Sequence, residues 1–440
     1  MAAERLATDK LLETPFMKSL QRFGEALANN KVLSSLSNSM MGMIAIIMVG
    51  AIFQILATIP TLFGWATNES PYYQLMMGPY NMTMGLLSLA LAFFLGYNYA
   101  RSLGLKPLIN GLSAMILFLM VAAPIRTVTL QDGTTLSAID SSTLGGVGIF
   151  TAIVVAILSV RIAHFCEQRN IAIRMPDVVP PFLAETFNGL LPFLFNVILW
   201  YGLSTVVVTY TDTTLPVLIN NVLSKPIAAL NSVPGMLVAV FLACLMWFFG
   251  IHGTIVVLSA LMPIALQAIT ENAAAVAAGQ EPKFYPVMLF LTLACAGGTG
   301  NTLSLVLMAL RSKSEQLRAV SRAALIPGIC NINEPVTFGF PIMYNPILAI
   351  PYILNPILVA AVVWVGYAIG FFKPAYIPVM AVLPLGVMEF LSTLAWQNLL
   401  IPVVGLVVSG LCYYPFFKVY EKQLVEREAA ARAEAAASAD

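Results

Sequence analysis

Five stretches of this chain carry no charged side chain: 186–211, 226–270, 284–310, 335–372 and 390–417. Between Val32 and Ala100 the one charge is Glu69. A helix needs about 20 mostly apolar residues to cross the hydrocarbon of a bilayer, so these runs are long enough to span. Soluble domains carry roughly 25% charged residues. Here 10% are charged and 59% hydrophobic over 440 residues, with a mean hydropathy of +0.86. That excludes a soluble enzyme, a disordered chain and a fibrous one. What remains is an all-α polytopic membrane protein whose solvent is the lipid bilayer. With 22 basic and 21 acidic residues there is no basic domain to bind nucleic acid.

A coarse count gives ten crossings, near 40–60, 80–100, 107–125, 145–165, 182–210, 233–250, 285–308, 346–372, 377–391 and 398–416. The run 226–270 holds one crossing plus a second, incomplete excursion. Basic residues of short loops set the orientation. Arg5, Lys10, Lys18, Arg22 and Lys31 precede the first crossing, and loop 61–79 has none. Arg161, Arg169 and Arg174 form a basic loop, as do Arg311, Lys313, Arg318 and Arg322. Lys418, Lys422, Arg427 and Arg432 lie in the tail. Both ends are therefore expected in the cytoplasm.

Residues 1–30 read as a cytoplasmic amphipathic segment, because Phe16, Leu20, Phe23 and Leu27 share one helical face. They lack the compact apolar core of a signal peptide. The tail 417–440 reads as a helix extension that frays. Cys166, Cys244, Cys295, Cys330 and Cys412 show no CxxC spacing, so they read as small buried residues. No metal or cofactor is expected. No Walker A motif or dinucleotide fingerprint occurs, which argues against ATP hydrolysis by this chain.

Polar groups inside apolar runs are costly and mark cavities or pathways. Asn331-Ile332-Asn333-Glu334-Pro335-Val336-Thr337-Phe338-Gly339-Phe340-Pro341 follows Ile326-Pro327-Gly328-Ile329-Cys330. So many Pro and Gly residues break a spanning helix. The stretch reads as a re-entrant hairpin with Glu334 near its tip, or as a solvated loop. Next, Asn345-Pro346-Ile347-Leu348 recurs as Asn355-Pro356-Ile357-Leu358 with Pro351 between, which reads as a broken region. His252 sits in Trp247-Phe248-Phe249-Gly250-Ile251-His252-Gly253-Thr254. Gly253 and Gly250 let the backbone turn or approach a ligand, so His252 is either a ligand group or a buried ring bonded to a carbonyl. Ala296-Gly297-Gly298-Thr299-Gly300-Asn301-Thr302 reads as close helix packing, or as an unwound stretch where Thr299 and Asn301 bind a polar ligand. Glu185 follows Met175-Pro176-Asp177-Val178-Val179-Pro180-Pro181. It either satisfies a helix dipole or faces a vestibule. Glu389 is alone among apolar residues, and His164 lies at a charged helix end. A carboxylate, an imidazole, amides and aromatics together suit a neutral polyol, and the scarcity of intramembrane Lys and Arg disfavours an anion.

The Gly250-Ile251-His252-Gly253 and Asn333-Glu334-Pro335-Val336 stretches, with Val179-Pro180-Pro181 followed by Glu185-Thr186-Phe187, resemble the membrane C subunit (enzyme IIC) of bacterial phosphotransferase-system sugar transporters. The branch is the lactose/cellobiose/diacetylchitobiose family, and the likeness runs over nearly the whole chain. It implies ten transmembrane helices, two re-entrant hairpins and a homodimer. It implies a dimerising N-terminal membrane domain over 31–210, a connecting segment over 211–232 and a substrate domain over 233–416. It assigns His252 and Glu334 to sugar binding and phosphotransfer; Asn333, Gly253, Asn301, Thr299 and Glu185 stand beside them as candidate sugar contacts from the residue reading. The permease would sit in the bacterial cell membrane. It would import a β-linked disaccharide for phosphorylation at the 6-hydroxyl by a phosphocysteine on a B subunit, itself charged by an A subunit. With only an Ala-rich tail after the membrane part, that B subunit is expected on a separate polypeptide. Movement is expected to be of the elevator type. The rival readings are an ion-coupled secondary sugar transporter and a sugar sensor that does not transport.

Overall fold

The computed structural model describes residues 22, 25–26, 29–173, 181–211, 213–340, 342–343, 345–381 and 383–437. The side chains of 181–186, 224, 346 and 434–437 fall outside that description. The proposed amphipathic face of Phe16, Leu20, Phe23 and Leu27 lies outside the described residues.

The N-terminal half is a helical bundle. Asn30 opens α1 (Lys31–Gly42), its side-chain oxygen accepting the N–H groups of Val32 and Leu33 at 2.9 and 3.1 Å. α2 (Ile44–Leu62) and α3 (Pro71–Thr83) follow, and then α4 (Leu87–Ser102) and α5 (Pro107–Ala122). Gly96 of α4 lies against Gly111 and Ala114 of α5. Small residues let these backbones come close, which replaces the hydrophobic drive that lipid does not supply. A two-stranded hairpin, β1 (Ile125–Thr129) and β2 (Thr135–Ile139), comes next, with Ile125 opposite Ile139 and Thr129 opposite Thr135. It is exposed and departs from the all-helical expectation. β-Branched residues flank its Asp132-Gly133 turn, and Asp132 accepts the Thr134 N–H at 2.9 Å. α6 (Ile149–Gln168), α7 (Pro181–Thr211) and α8 (Leu215–Leu230) complete this half. Trp200 of α7 is buried and donates its indole N–H to Ser159 of α6 at 3.0 Å.

The C-terminal half contains α9 (Val233–Phe248), α10 (Gly253–Ala277), α11 (Leu303–Ala309), α12 (Glu315–Ile329), α13 (Glu334–Gly339), α14 (Pro346–Ala368), α15 (Val387–Leu391) and α16 (Ile401–Ala437). Three expectations are corrected here. α10 is a full 25-residue helix and not an incomplete excursion. The expected crossing at 285–308 is broken into a 3-10 helix at Pro286–Ala294, an open turn and the seven residues of α11. The expected crossing at 377–391 is irregular up to the five-residue α15. Pro374, Pro378 and Pro384 deny that last stretch a continuous ladder. Conversely, the proline-spaced region read as broken is one continuous helix, α14, containing Pro351 and Pro356. Asn355 adds a bond from its side-chain amide to the Pro351 carbonyl at 3.0 Å within this helix. Among the described residues, seven helices are long and apolar enough to cross a membrane. Two shorter apolar helices, Pro107–Ala122 and Val233–Phe248, accompany them.

The buried side chains fall into two main cores. One is built from α1 to α8, with Leu91, Phe118, Ile149 and Trp200 among its members. The other is built from α9 to α16, with Phe290, Phe340, Tyr352 and Tyr413. α10 serves both: Met262, Leu266 and Ala273 belong to the first core, and Leu261, Ile264 and Ala268 to the second. A polar tie also crosses between the halves: Gln54 of α2 donates to the Tyr376 carbonyl at 3.0 Å. Within the C-terminal half, Asn272 of α10 donates to the Ala375 carbonyl at 2.9 Å. These amides serve carbonyls of the irregular segment that no helix or strand partners, which lipid could not do.

At the far end of the C-terminal half, α16 runs on beside the start of α12. Glu428 accepts the Ser314 hydroxyl at 2.6 Å and the N–H groups of Glu315 and Gln316, both at 3.1 Å. It thereby satisfies two amides that an α-helix leaves open at its N-terminus. Glu428→Ala is expected to cost about 1 kcal/mol, the usual worth of a cap. Hydrogen exchange at the Glu315 and Gln316 amides should accelerate while the α14 amides keep their protection.

Candidate functional site

Two interrupted hairpins meet tip to tip in the C-terminal half. The first descends through the 3-10 helix Pro286–Ala294, turns at Gly297–Thr302 and returns as α11. The second descends as α12, turns at Cys330–Asn333 and returns as the short α13, whose first residue is Glu334. The tips are joined directly: the Gly297 N–H donates to the Asn331 side-chain oxygen at 2.9 Å. Gly298 adopts φ +77°, and a Cβ there would stand 2.7 Å from the Asn333 nitrogen and 2.8 Å from the Asn331 oxygen. Only glycine allows both that backbone conformation and that approach.

α9 and α10 bring His252 to the same place. The chain reverses between these helices at Phe249–His252, and Gly253 lies against the Ala243 carbonyl, where a side chain would collide. His252 is the N-cap of α10: its Nδ1 accepts the Ile255 N–H at 3.3 Å. A nitrogen that accepts is unprotonated in the neutral ring, so Nε2 carries the proton. That Nε2 stands 3.8 Å from Glu334 Oε1. The two side chains are 39% and 45% exposed, so both remain available to a ligand. The Trp247 ring tilts over the imidazole with centroids 4.4 Å apart. Trp247 also donates to Thr254 at 3.4 Å, and the Thr254 and Thr299 hydroxyls are 2.7 Å apart. A carboxylate and an imidazole N–H thus stand side by side, one at the start of α13 and the other at the start of α10.

The remaining residues singled out in the sequence divide by what they touch. Asn333 is buried, with its amide donating to the Thr337 hydroxyl at 2.9 Å and to Tyr352 at 3.5 Å. Thr299 is buried beside Thr254. Asn301 is fully buried in the left-handed region at φ +48°. Its oxygen accepts the Ala296 N–H at 3.0 Å and its amide donates to the Thr292 carbonyl at 3.1 Å. This spans the neck of the first hairpin, so Asn301 shapes the tip from within. Gly253 serves the reversal between α9 and α10. Glu185 lies on the α7 backbone, but its side chain is outside the described residues. His164 lies in α6 and pairs with Gln168 at 3.0 Å.

Sequence reasoning passed over several supports. Asn355 and Tyr413 both donate to the Gly300 carbonyl, at 2.7 and 2.9 Å, fixing the first tip from α14 and α16. The Asn-Pro echo was visible, but its target lay 55 residues away. Glu389, undecided between interface and interior, proves internal at 9% exposure. It borders a chamber of about 280 Å³ between the irregular segment, α10 and the 3-10 helix. Cys166, Cys244 and Cys295 are buried, while Cys330 and Cys412 are half-buried.

The family model described as "Phosphotransferase system, EIIC" matches residues 37–356. The chain is 31% identical to the lichenan permease IIC component of Bacillus subtilis (strain 168), covering 91% of this chain and 92% of that one. It is 30% identical to the oligo-beta-mannoside-specific EIIC component of the same organism, again over 91% and 92%. The lactose-specific EIICB component of Lactococcus lactis subsp. lactis is 31% identical over 92% of this chain and 72% of its own. In three dimensions the chain is similar to the crystal structure of the transporter ChbC, the IIC component from the N,N'-diacetylchitobiose-specific phosphotransferase system. The TM-score is 0.85 at 25% identity, covering 95% of this chain and 99% of that one.

Substituting Gly298 tests the junction of the tips. Gly298→Ala imposes both the left-handed cost and the contact with Asn333, and is expected to destabilise by about 1–3 kcal/mol. Gly202 on α7 has nothing within 4 Å of its would-be Cβ, so Gly202→Ala is expected to leave the thermal midpoint unchanged or slightly raised. Thermal unfolding of the two variants side by side checks the contrast.

Proposed function

The chain belongs to the phosphotransferase-system EIIC family, and from that premise we propose that it imports a β-linked disaccharide of the cellobiose or diacetylchitobiose type and holds its 6-hydroxyl for phosphorylation by the phosphocysteine of a B component. EIIC proteins are multi-pass membrane permeases that work with EIIB and EIIA partners, and in some relatives the B part is fused to the C part. The narrower substrate class draws on relatives named for lichenan, oligo-beta-mannoside and diacetylchitobiose.

The observation that carries this reading is the convergence of His252 and Glu334, 3.8 Å apart, at the starts of two helices inside a membrane protein. In the proposed step the 6-hydroxyl oxygen attacks phosphorus, the S–P bond of the phosphocysteine breaks, and the thiolate leaves. The hydroxyl proton passes to Glu334. The protein's part is to align the acceptor and take that proton, since phosphoryl transfer depends on positioning and charge. His252, with Nδ1 committed to the α10 backbone, presents Nε2–H to the sugar or to Glu334. Asn333 and Thr299 act behind them by holding the two tips. Trp247 backs the imidazole and fixes its plane.

The division into working parts belongs to the same proposal. Residues 31–210 form the scaffold and dimer-forming domain, 211–232 the connection, and 233–416 the substrate domain, with both termini cytoplasmic. The substrate domain moves as a body against the scaffold. The two main cores, bridged by α10, support this division. The movement takes no hinge from 346–356, because α14 is continuous from Pro346.

Uptake of labelled cellobiose into membrane vesicles, with and without the phosphorylated B component, tests the function. Cellobiose 6-phosphate formed only with the phosphorylated partner supports group translocation. Free cellobiose accumulating without it would replace the reading by an ion-coupled carrier. Glu334→Gln keeps the side-chain volume and removes the proton acceptor, so phosphorylation is expected to fall by roughly 10²–10⁴-fold; His164→Ala is expected to change little.

A second measurement addresses the movement. The Met380 N–H lies 3.3 Å from the Met48 sulfur, so these residues touch across the proposed domains. Oxidising a Met48→Cys/Met380→Cys pair is expected to arrest transport, and reduction to restore it. Undiminished transport by the crosslinked protein would rule out the rigid-body movement.

A further inference from the structure

A cavity of about 260 Å³ lies in the N-terminal half among α5, α6 and α7, and neither His252 nor Glu334 lines it. Arg101 and Lys106, around the turn from α4 to α5, and Arg169, just after α6, mark this end of the bundle as a lipid–water boundary. Among the lining residues Lys106 and Glu167 are exposed, whereas Ser159 and Asn196 are buried. The cavity therefore runs from a charged rim to an uncharged floor. Ser113, half-buried, lines it seven residues beyond Lys106 on α5, about 10 Å along the helix axis.

The floor is short of a donor. Asn196 is 2% exposed, and its amide nitrogen donates to the Ser159 carbonyl at 3.2 Å and the Pro192 carbonyl at 3.0 Å. Two carbonyl partners settle which end of the amide is the nitrogen. The other end, Oδ1, is a buried acceptor with no hydrogen-bond partner, a costly state. The Ser113 hydroxyl likewise makes no hydrogen bond among the described residues. Ser159 accepts the Trp200 indole N–H and keeps its own proton to donate. An ammonium group would be buried here without a counter-charge, and a choline group has no N–H or O–H to give. A hydroxyl fits. Beside the lining residues Ile109 and Ser113, α5 exposes Leu108, Leu112 and Ile116, an apolar strip that suits a hydrocarbon chain.

We propose that this recess binds a lipid whose headgroup ends in hydroxyls, of the phosphatidylglycerol kind, with one hydroxyl donating to Asn196 Oδ1 and another meeting Ser113. The phosphate stays at the rim beside Lys106, and a chain follows Leu112 and Ile116. Glu167 at the same rim opposes a bare phosphate, so charge without hydroxyls gains little. The same hydroxyl chemistry can also come from a free polyol entering from water. Occupied, the site ties α5, α6 and α7 together at one end of the N-terminal half, whatever the sugar at His252 and Glu334.

Native mass spectrometry of the full chain, released from lipid nanodiscs, reads which lipid stays bound. Two arms use phosphatidylcholine nanodiscs with a minor share of phosphatidylglycerol or of phosphatidic acid, which has the charge without the terminal hydroxyls. Phosphatidylglycerol is expected to be retained in preference to the bulk lipid, and phosphatidic acid no better than the bulk. Asn196→Ala is expected to lower that retention by about three- to tenfold, the worth of one hydrogen bond. Because Asn196 also holds two backbone carbonyls, Ser113→Leu is the second variant. It fills the recess and is expected to abolish the preference while leaving the thermal midpoint in phosphatidylcholine unchanged. A third arm dialyses phosphatidylcholine nanodiscs against radiolabelled glycerol. Glycerol bound by the unaltered protein and lost in Ser113→Leu, without retention of phosphatidylglycerol, keeps the hydroxyl site and gives it to a free polyol. Equal retention of phosphatidic acid and phosphatidylglycerol overturns the proposal, as does retention that survives Ser113→Leu. Binding in none of the arms overturns it too and leaves the recess to water.

Discussion

Every peptide group placed inside a bilayer must find its hydrogen-bond partner within the protein. The candidate site is made from stretches that cannot satisfy themselves: a glycine-rich turn, a proline-rich turn and an irregular run from about 375 to 386. The first and the last are rescued by side chains from elsewhere. Asn355 and Tyr413 serve the Gly300 carbonyl, Asn331 serves the Gly297 N–H, and Gln54 and Asn272 serve carbonyls at 376 and 375. Regular helices form the scaffold because they need no such help. Buried amides permit the departures from helix, and the departures create the site.

The same constraint explains why His252 and Glu334 come together. Each stands at the start of a helix that begins inside the protein, α10 and α13 respectively. A helix start leaves N–H groups open, and His252 uses one nitrogen to close one of them. The capping bond fixes the ring's tautomer and aims its other nitrogen at Glu334. Structural satisfaction and chemical readiness are one arrangement. Asn301 and Asn333 belong to the same economy of polar groups, spent on holding the two tips.

Much of this was legible in the chain. The charge-free runs located the membrane helices α2, α7, α14 and α16, and the Pro and Gly content of 326–341 marked the second hairpin. Glycine density marked the turn at 297–300. The misses have definite causes. Pro263 and an uncharged run of 45 residues concealed that α10 is a complete helix. At 377–391 apolar composition alone suggested a crossing, although Pro378 and Pro384 forbid a continuous ladder. At 346–356 prolines suggested a break, but α14 runs on through Pro351 and Pro356 as one helix. Local composition reports where a helix is strained and says nothing of whether a distant residue relieves the strain.

By itself the sequence determined the solvent of this protein, the span of most of its helices, and which few polar residues were placed at a cost. Those are properties of local composition, governed by transfer energies that act residue by residue. Only the tertiary structure decided that His252 faces Glu334, that Asn301 turns inward, that Glu389 borders a chamber, and that α10 joins two cores. Each of these depends on which groups, tens to hundreds of residues apart, meet when the chain closes on itself. Pairing between distant polar groups is a property of the packed molecule and has no local signature.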